Sequence, residues 1–155
     1  HGNASAQFNL SRMFQMGHGV IQDNRTAAKW LKKAAEQGSA SAQCNLGVKY
    51  QVGEEVVKDL KESVKWYRKA AEQGFAIAQF NIAMMYANGN GVERDYVESY
   101  KWALLAEMND FEIDEFRNWL GYRMTLTQIA KSQKLAREYI EKQKANNSKS
   151  TEVKP

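Results

Sequence analysis

The sequence is poor in the residues that build disulfides, metal sites and membrane spans. Cys44 is the only cysteine among 155 residues, so no internal disulfide can form. One cysteine and two histidines do not make a zinc-ligand set. No apolar run approaches the roughly 18–20 residues that cross a bilayer, so we predict no membrane span. The only proline is the last residue, Pro155, so proline interrupts no helix within the chain.

What remains is the composition of a soluble globular domain, with 43% hydrophobic and 26% charged residues. The net charge of +4 permits attraction to acidic partners or nucleic acid, but it mainly describes solubility. The opening stretch HGNASAQFNL lacks the basic start and apolar segment of a secretory signal, and it lacks an initiator Met. We interpret this start as one from which upstream sequence has been removed.

One phrase occurs twice, as KWLKKAAEQG at 29–38 and as KWYRKAAEQG at 65–74, which is 36 residues later. The same step relates many other positions without a gap. They predict three helical repeat units, at about 2–37, 38–73 and 74–109. The recurring sets include Trp30, Trp66 and Trp102; Gln7, Gln43 and Gln79; Asn9, Asn45 and Asn81; Gly17, Gly53 and Gly89; and Asp23, Asp59 and Asp95.

Each unit predicts two helices. In the middle unit, Ala42, Leu46 and Tyr50 recur every four residues and form the apolar stripe of a first helix, helix A, which Gly53 ends. Asp59 then begins helix B.

The residue three positions after that aspartate, Glu62, predicts a capping box in which the glutamate reaches back to the first backbone N–H, and Asp95 with Glu98 repeats the pattern. The tryptophans of helix B lie beside paired alanines, so we interpret them as core anchors and not as a ladder for ligand stacking.

The segments GSASAQCNLGVKY, GNGVERD and KWYRKAAEQG resemble the Sel1-like repeat family, which is related to tetratricopeptide repeats. The resemblance implies an all-α fold, a right-handed α/α solenoid, that serves as a protein-interaction scaffold. It also implies a bacterial protein of the cytoplasm or periplasm. One departure is GEEV at 53–56, which replaces a Gly-x-Gly loop and is expected to differ from it in shape.

The chain after the third unit predicts a C-terminal cap over 110–143 and no fourth repeat. Thr125 and Gln128 predict another capping box, with Met124 and Ile129 as its hydrophobic staple. We expect the final helix to run from Leu126 to about residue 142. The polar segment 144–155 is predicted to be a disordered tail.

The sequence offers no catalytic constellation. No Ser-x-x-Lys occurs, and His18 lies in a glycine-rich loop that does not continue as a phosphate-binding motif. We therefore predict a non-enzyme without metal or cofactor. A small hydrolase, or a protein that binds envelope fragments of the peptidoglycan or β-lactam type, remains the alternative. The lysines of helix B are interpreted as a solvated outer face, and nucleic acid is disfavoured because no exposed aromatics are interleaved with them.

A second stripe on helix A predicts the binding surface. In tetratricopeptide repeats helix A lines a concave groove, so the resemblance implies that Asn9, Asn45 and Asn81 hold a peptide backbone or carboxylate. The basic residues Arg12 and Lys49 favour an acidic partner. The alternative, that the stripe only packs between neighbouring helices, stays open. Self-association through the N-terminal repeat face, around Phe8, is a further hypothesis. The remaining candidate groove residues are Met13, Met84 and Met85.

Overall fold

A computed structural model describes residues 3–151, with the side chains of residues 3–148. All regular structure within that range is helical, which confirms the all-α prediction. The helices are α1 (Ala4–Met16), α2 (Asn24–Glu36), α3 (Ala40–Val52), α4 (Leu60–Glu72), α5 (Ala76–Asn88), α6 (Tyr96–Glu107), α7 (Asp114–Gly121) and α8 (Leu126–Thr151).

The first six helices form three stacked hairpins. The two helices of each unit pack on each other, and the second helix of one unit packs on the first helix of the next. The paired alanines lie at these crossings and are buried, as at Ala34 and Ala35 and at Ala70 and Ala71. Because alanine ends at Cβ, the helix axes approach closely, and clusters of buried residues from neighbouring hairpins form that no single hairpin could supply.

A serine joins the two helices of every unit, but in the first unit it comes from the first helix and in the other two from the second helix. Ser11 on α1 donates from Oγ to the carbonyl of Ala27 at 2.8 Å. In the next unit the serine is on helix B, and Ser63 donates to the carbonyl of Gly47 at 2.8 Å. The third unit follows the second. The hydroxyl can come from either helix because both positions face the same buried crossing, where an unpaired polar group would be costly.

The aspartates cap their helices, but the predicted glutamate arm is wrong. The Asp59 carboxylate accepts from the backbone N–H groups of Lys61 and Glu62, at 2.9 and 3.0 Å. The Asp59 N–H is already taken, because it donates to the carbonyl of Tyr50 at 2.9 Å. The Glu62 carboxylate therefore has no donor to reach, and it pairs with Lys65 one turn later. The third unit repeats this arrangement.

The loop between the two helices of the middle unit, which we call the middle loop, follows the same backbone course as the equivalent loops of the first and third units, contrary to our expectation. Glu55 takes a left-handed φ of 62°, close to the 74° of Gly19 and the 73° of Gly91 in the equivalent positions. The third unit requires glycine there, since a Cβ on Gly91 would lie 2.3 Å from the carbonyl oxygen of Leu60. The stack therefore imposes the loop conformation even where the residue disfavours it.

Two of the three repeat tryptophans are core residues. Trp102 is 2% exposed and Trp66 is 9% exposed, the latter in a cluster with Leu31 of the preceding hairpin and Leu46 of its own. Trp30 is only partly buried, with the Lys33 ammonium 4.8 Å from its ring centre. The prediction of a core role fails at Trp30 because no preceding hairpin in the described residues covers it.

The C-terminal helices cover the third unit. The Tyr139 ring of α8 meets the Trp102 ring edge-on at 5.5 Å between centroids. The predicted box at the start of α8 is confirmed, because the Thr125 N–H donates to the Gln128 side-chain oxygen at 2.8 Å and the Gln128 N–H donates back at 3.2 Å.

Helix α8 ends at Thr151, beyond the predicted end near residue 142. Residues 144–151 of the predicted disordered tail are thus helical, and 152–155 lie outside the described residues. The extension contains no proline to interrupt the helix, although five of the eight residues in 144–151 are Asn, Ser or Thr, which are weaker helix formers. Across residues 3–151, no helix combines the length and apolarity that a membrane span requires.

Candidate functional site

One side of the stack carries the exposed residues of the first helix of each unit, and we call it the A-helix face. On α1 it presents Asn9 and Arg12, and on α3 it presents Asn45, in agreement with the predicted stripe. Its apolar members are exposed as well: they are Met13, Met16, Val48, Val52, Ile77 and Met84. These six are more than half of the eleven large hydrophobic residues exposed between residues 3 and 148. Apolar exposure is therefore concentrated on this side of the stack.

A cleft of about 190 Å³ separates α1 from α3 on this face. The structure brings three predicted residues together there, because Arg12, Asn45 and Lys49 all line it. Arg12 is exposed and forms no ion pair with any residue from 3 to 148. The cleft thus offers a guanidinium and a side-chain amide, which suit a carboxylate or a peptide carbonyl.

Lys49 is placed differently from the prediction. It is only 7% exposed, and its ammonium lies 2.9 Å from the Glu55 carboxylate and 3.8 Å from that of Glu54. The angles at the ammonium do not satisfy a good hydrogen bond, so charge attraction is the main interaction. Lys49 therefore anchors the middle loop with its charge neutralised, and Arg12 is left as the accessible cation of the cleft.

Two other predicted residues lie inside the stack. Met85 is 1% exposed and belongs to the main core, because the position four residues after Asn81 turns inward into the cluster that contains Tyr67. Asn81 is half-buried, and its amide approaches the Cys44 sulfur at 3.9 Å. These contacts fit the alternative of packing between neighbouring A helices, whereas Asn9 and Asn45 remain accessible.

The interior beneath this face is chemically inert. Burial raises the pKa of the Cys44 thiol to about 11, which keeps the sulfur protonated and unreactive near neutral pH. Burial also raises the pKa of Tyr67, whose hydroxyl donates to the Gln51 side-chain oxygen at 2.7 Å. The Tyr67 ring lies against Gly47, where a Cβ would be only 2.7 Å away, and this explains why the middle unit has glycine there.

A larger pocket, of about 700 Å³, lies at the other end of the face between α5 and α7, and the sequence reasoning missed it. Its walls include Met84, which was predicted, and the aromatic residues Phe80 and Phe116, which were not. Glu112 and Glu115 stand at its rim. The signal available in the sequence was FEIDEF at 111–116, where three acidic residues are mixed with two phenylalanines and an isoleucine at the end of the last repeat.

Comparison with known proteins assigns the repeats. The model of the Sel1 repeat matches residues 4–39, 40–75 and 76–111, so each unit begins two residues later than predicted. No curated protein matches the sequence.

Two bacterial crystal structures are similar to the chain. A Sel1 repeat protein from Oxalobacter formigenes is 39% identical, with a TM-score of 0.71, over 74% of this chain and 86% of that one. The second is c5321, described as a protective antigen present in uropathogenic Escherichia coli strains and displaying an SLR fold. It is 35% identical, with a TM-score of 0.81, over 99% of this chain, which spans only 33% of c5321. The chain is an α/α solenoid that belongs to the Sel1 repeat family.

Proposed function

We propose that the chain is a non-enzymatic interaction module that binds an extended peptide segment of a protein partner along the A-helix face. Sel1 repeats are commonly protein-interaction scaffolds. The observation that carries the proposal is the exposure of apolar side chains beside the amides of Asn9 and Asn45, on the first helices of two consecutive units. Concentrated exposed apolar surface with a polar rim is typical of interaction sites. Methionine adapts to varied partner side chains, and the amides can pair with a peptide backbone.

The cleft between α1 and α3 supports an acidic group of the partner at this end of the face. Arg12 supplies the charge and Asn45 supplies the hydrogen bonds. Hydrogen bonds to a charged group contribute roughly 1.5–3 kcal/mol, which corresponds to about a ten- to hundredfold change in affinity. Lys49 has no part in this proposal, because its charge is neutralised by the loop glutamates.

The test begins with capture of partners from bacterial extract by the immobilised chain, followed by affinity measurements with the captured protein. Arg12→Ala and Asn45→Ala should weaken binding without altering the circular dichroism spectrum or the melting temperature. Lys65→Glu on helix B is the matched surface control and should leave binding unchanged. Loss of binding in the Lys65 variant alone would place the working surface on helix B. Turnover in a panel of hydrolase substrates would favour the alternative of a small hydrolase.

Self-association is a second proposal, and the exposure of Trp30 favours it. Trp30 lies at the end of the stack, where the equivalent Trp66 of the next unit packs with Leu31 of the preceding hairpin. Phe8, contrary to the hypothesis, is turned towards the second unit and lines the cleft between α1 and α3. Trp30→Lys should then shift the chain towards monomer in light scattering at high concentration. A parent chain that stays monomeric at all concentrations would contradict the proposal.

A further inference from the structure

The pocket between α5 and α7, which we call the acidic aromatic pocket, lies at the C-terminal end of the A-helix face. Phe80 and Met84 of α5 form one wall, and Phe116 and Trp119 of α7 form the other. The rings support one another: Phe80 meets Phe116 edge-on at 5.2 Å, and Phe116 stacks on Trp119 at 5.9 Å with 9° between the planes. The walls are therefore held in place without a ligand, as in most preformed binding sites.

The rim of this pocket is negative. Glu112, Asp114 and Glu115 line it, and none of its lining residues in the described part of the chain is basic. Asp114 is paired with Arg117. Glu112 and Glu115 are exposed, and neither forms an ion pair within residues 3–148. Two carboxylates are thus available beside an apolar wall large enough for a long side chain.

We propose that the acidic aromatic pocket binds an arginine side chain of the partner's extended segment, a proposal that rests on the function proposed above. The methylenes and the flat guanidinium would lie on the Phe80–Phe116 wall, and the guanidinium would donate to Glu112 and Glu115. Lysine would bind less well, because its compact ammonium cannot lie flat on the aromatic wall and donate to both carboxylates at the same time. An acidic residue would be repelled, and a purely apolar one would leave the carboxylates partly desolvated without a partner.

One ring of this pocket, that of Trp119, already contacts a guanidinium that lies outside the pocket. The Arg123 guanidinium carbon lies 3.9 Å from the centre of the Trp119 ring, and Arg123 also donates to the Trp119 carbonyl. This internal contact shows that the local geometry accepts a stacked guanidinium. With Arg12 at one end of the face and Glu112 and Glu115 at the other, the two ends would also select the direction in which a partner segment lies.

The probe is a set of end-blocked peptides, acetyl-Ala-Ala-X-Ala-Ala-amide, in which X is Arg, Lys, Gln or Glu. Binding is followed by NMR on the ¹⁵N-labelled chain through the indole N–H signal of Trp119, assigned from the spectrum of Trp119→Phe. We expect the Arg peptide to shift this signal most, the Lys peptide less, and the Gln and Glu peptides hardly at all. A Gln peptide that binds as tightly as the Arg peptide, or an indole signal that no peptide moves, would overturn the proposal.

The double variant Glu112→Gln/Glu115→Gln should weaken the Arg peptide roughly tenfold and flatten its salt dependence, since each exposed pair contributes up to about a fivefold change in affinity. Glu141→Gln, at an exposed position of α8, is the matched control and should leave the affinity for the Arg peptide unchanged. Unchanged Arg binding in the double variant would also overturn the proposal. If the peptides do not discriminate while Asn45→Ala still weakens partner capture, the pocket assignment fails and the proposed function stands. If the Arg peptide is preferred but Asn45→Ala leaves partner capture unchanged, the pocket assignment stands and the proposed binding along the A-helix face fails.

Discussion

The contribution to stability of the ion pair between Lys49 of α3 and Glu55 of the middle loop can be tested by substitution. Glu55 holds a left-handed backbone, and its carboxylate, on a side chain only 17% exposed, lies 2.9 Å from the buried ammonium. Glu55→Gln keeps the side-chain size and backbone but removes the charge. Breaking a fully buried pair costs about 3–5 kcal/mol. Because Glu55 is partly exposed and Glu54 offers a second carboxylate at 3.8 Å, we expect a loss of about 1–3 kcal/mol in the free energy of unfolding.

Glu55→Gly separates charge from strain. A left-handed conformation costs a non-glycine residue about 1–2 kcal/mol, and the greater freedom of glycine in the unfolded chain offsets up to about 1 kcal/mol of that relief. We therefore expect Glu55→Gly to be about 0.5–1 kcal/mol less destabilising than Glu55→Gln. Combining Glu55→Gly with Lys49→Met removes the unpaired buried charge as well, and this should restore the parent stability or exceed it.

Urea unfolding followed by circular dichroism at 222 nm measures these differences. The matched control is Glu54→Gln, because that side chain is 59% exposed and more distant from the ammonium, so its effect should stay below about 0.5 kcal/mol. The ion-pair reasoning is refuted if Glu55→Gln and Glu54→Gln have the same stability. The strain reasoning is refuted if Glu55→Gly is less stable than Glu55→Gln.

Four further predictions concern the core and the cap. Trp66→Ala should cost roughly 3–5 kcal/mol by cavity formation, whereas Trp30→Ala should cost clearly less in the same urea titration; equal losses would contradict the assigned burial. Gly47→Ala should lower the melting temperature, since the added methyl would overlap the tyrosine ring packed against it, and an unchanged melting point would count against that contact. The Cys44 thiol should resist a disulfide reagent at pH 8 until the chain unfolds. Because folding raises the pKa of this thiol from 9.0 to about 11, the free energy of unfolding should fall as the pH rises from 9 to 11. Removal of 124–155 should cause aggregation, visible by light scattering, and a soluble truncation of equal stability would disprove the capping role.

Much of the fold could be predicted from the sequence because its signals are local and repeated. The step between Trp30, Trp66 and Trp102 indicates the hairpins, and the glycines and aspartates indicate where helices end and begin. Each of these depends on a few neighbouring residues, and repetition in the same register makes the pattern unambiguous. The family resemblance follows from the same residues.

The tertiary structure decided what depends on contacts between units. Whether a tryptophan is covered depends on the hairpin before it, so nearly the same local sequence leaves Trp30 partly open and Trp66 buried. Helical periodicity places Met85 near the face, but only the packing of the assembled stack shows that it turns inward. The left-handed Glu55 and the pocket between α5 and α7 arise in the same way. Both are set by groups that meet only after the chain has stacked, because burial and charge pairing are properties of the assembled solenoid and not of one segment.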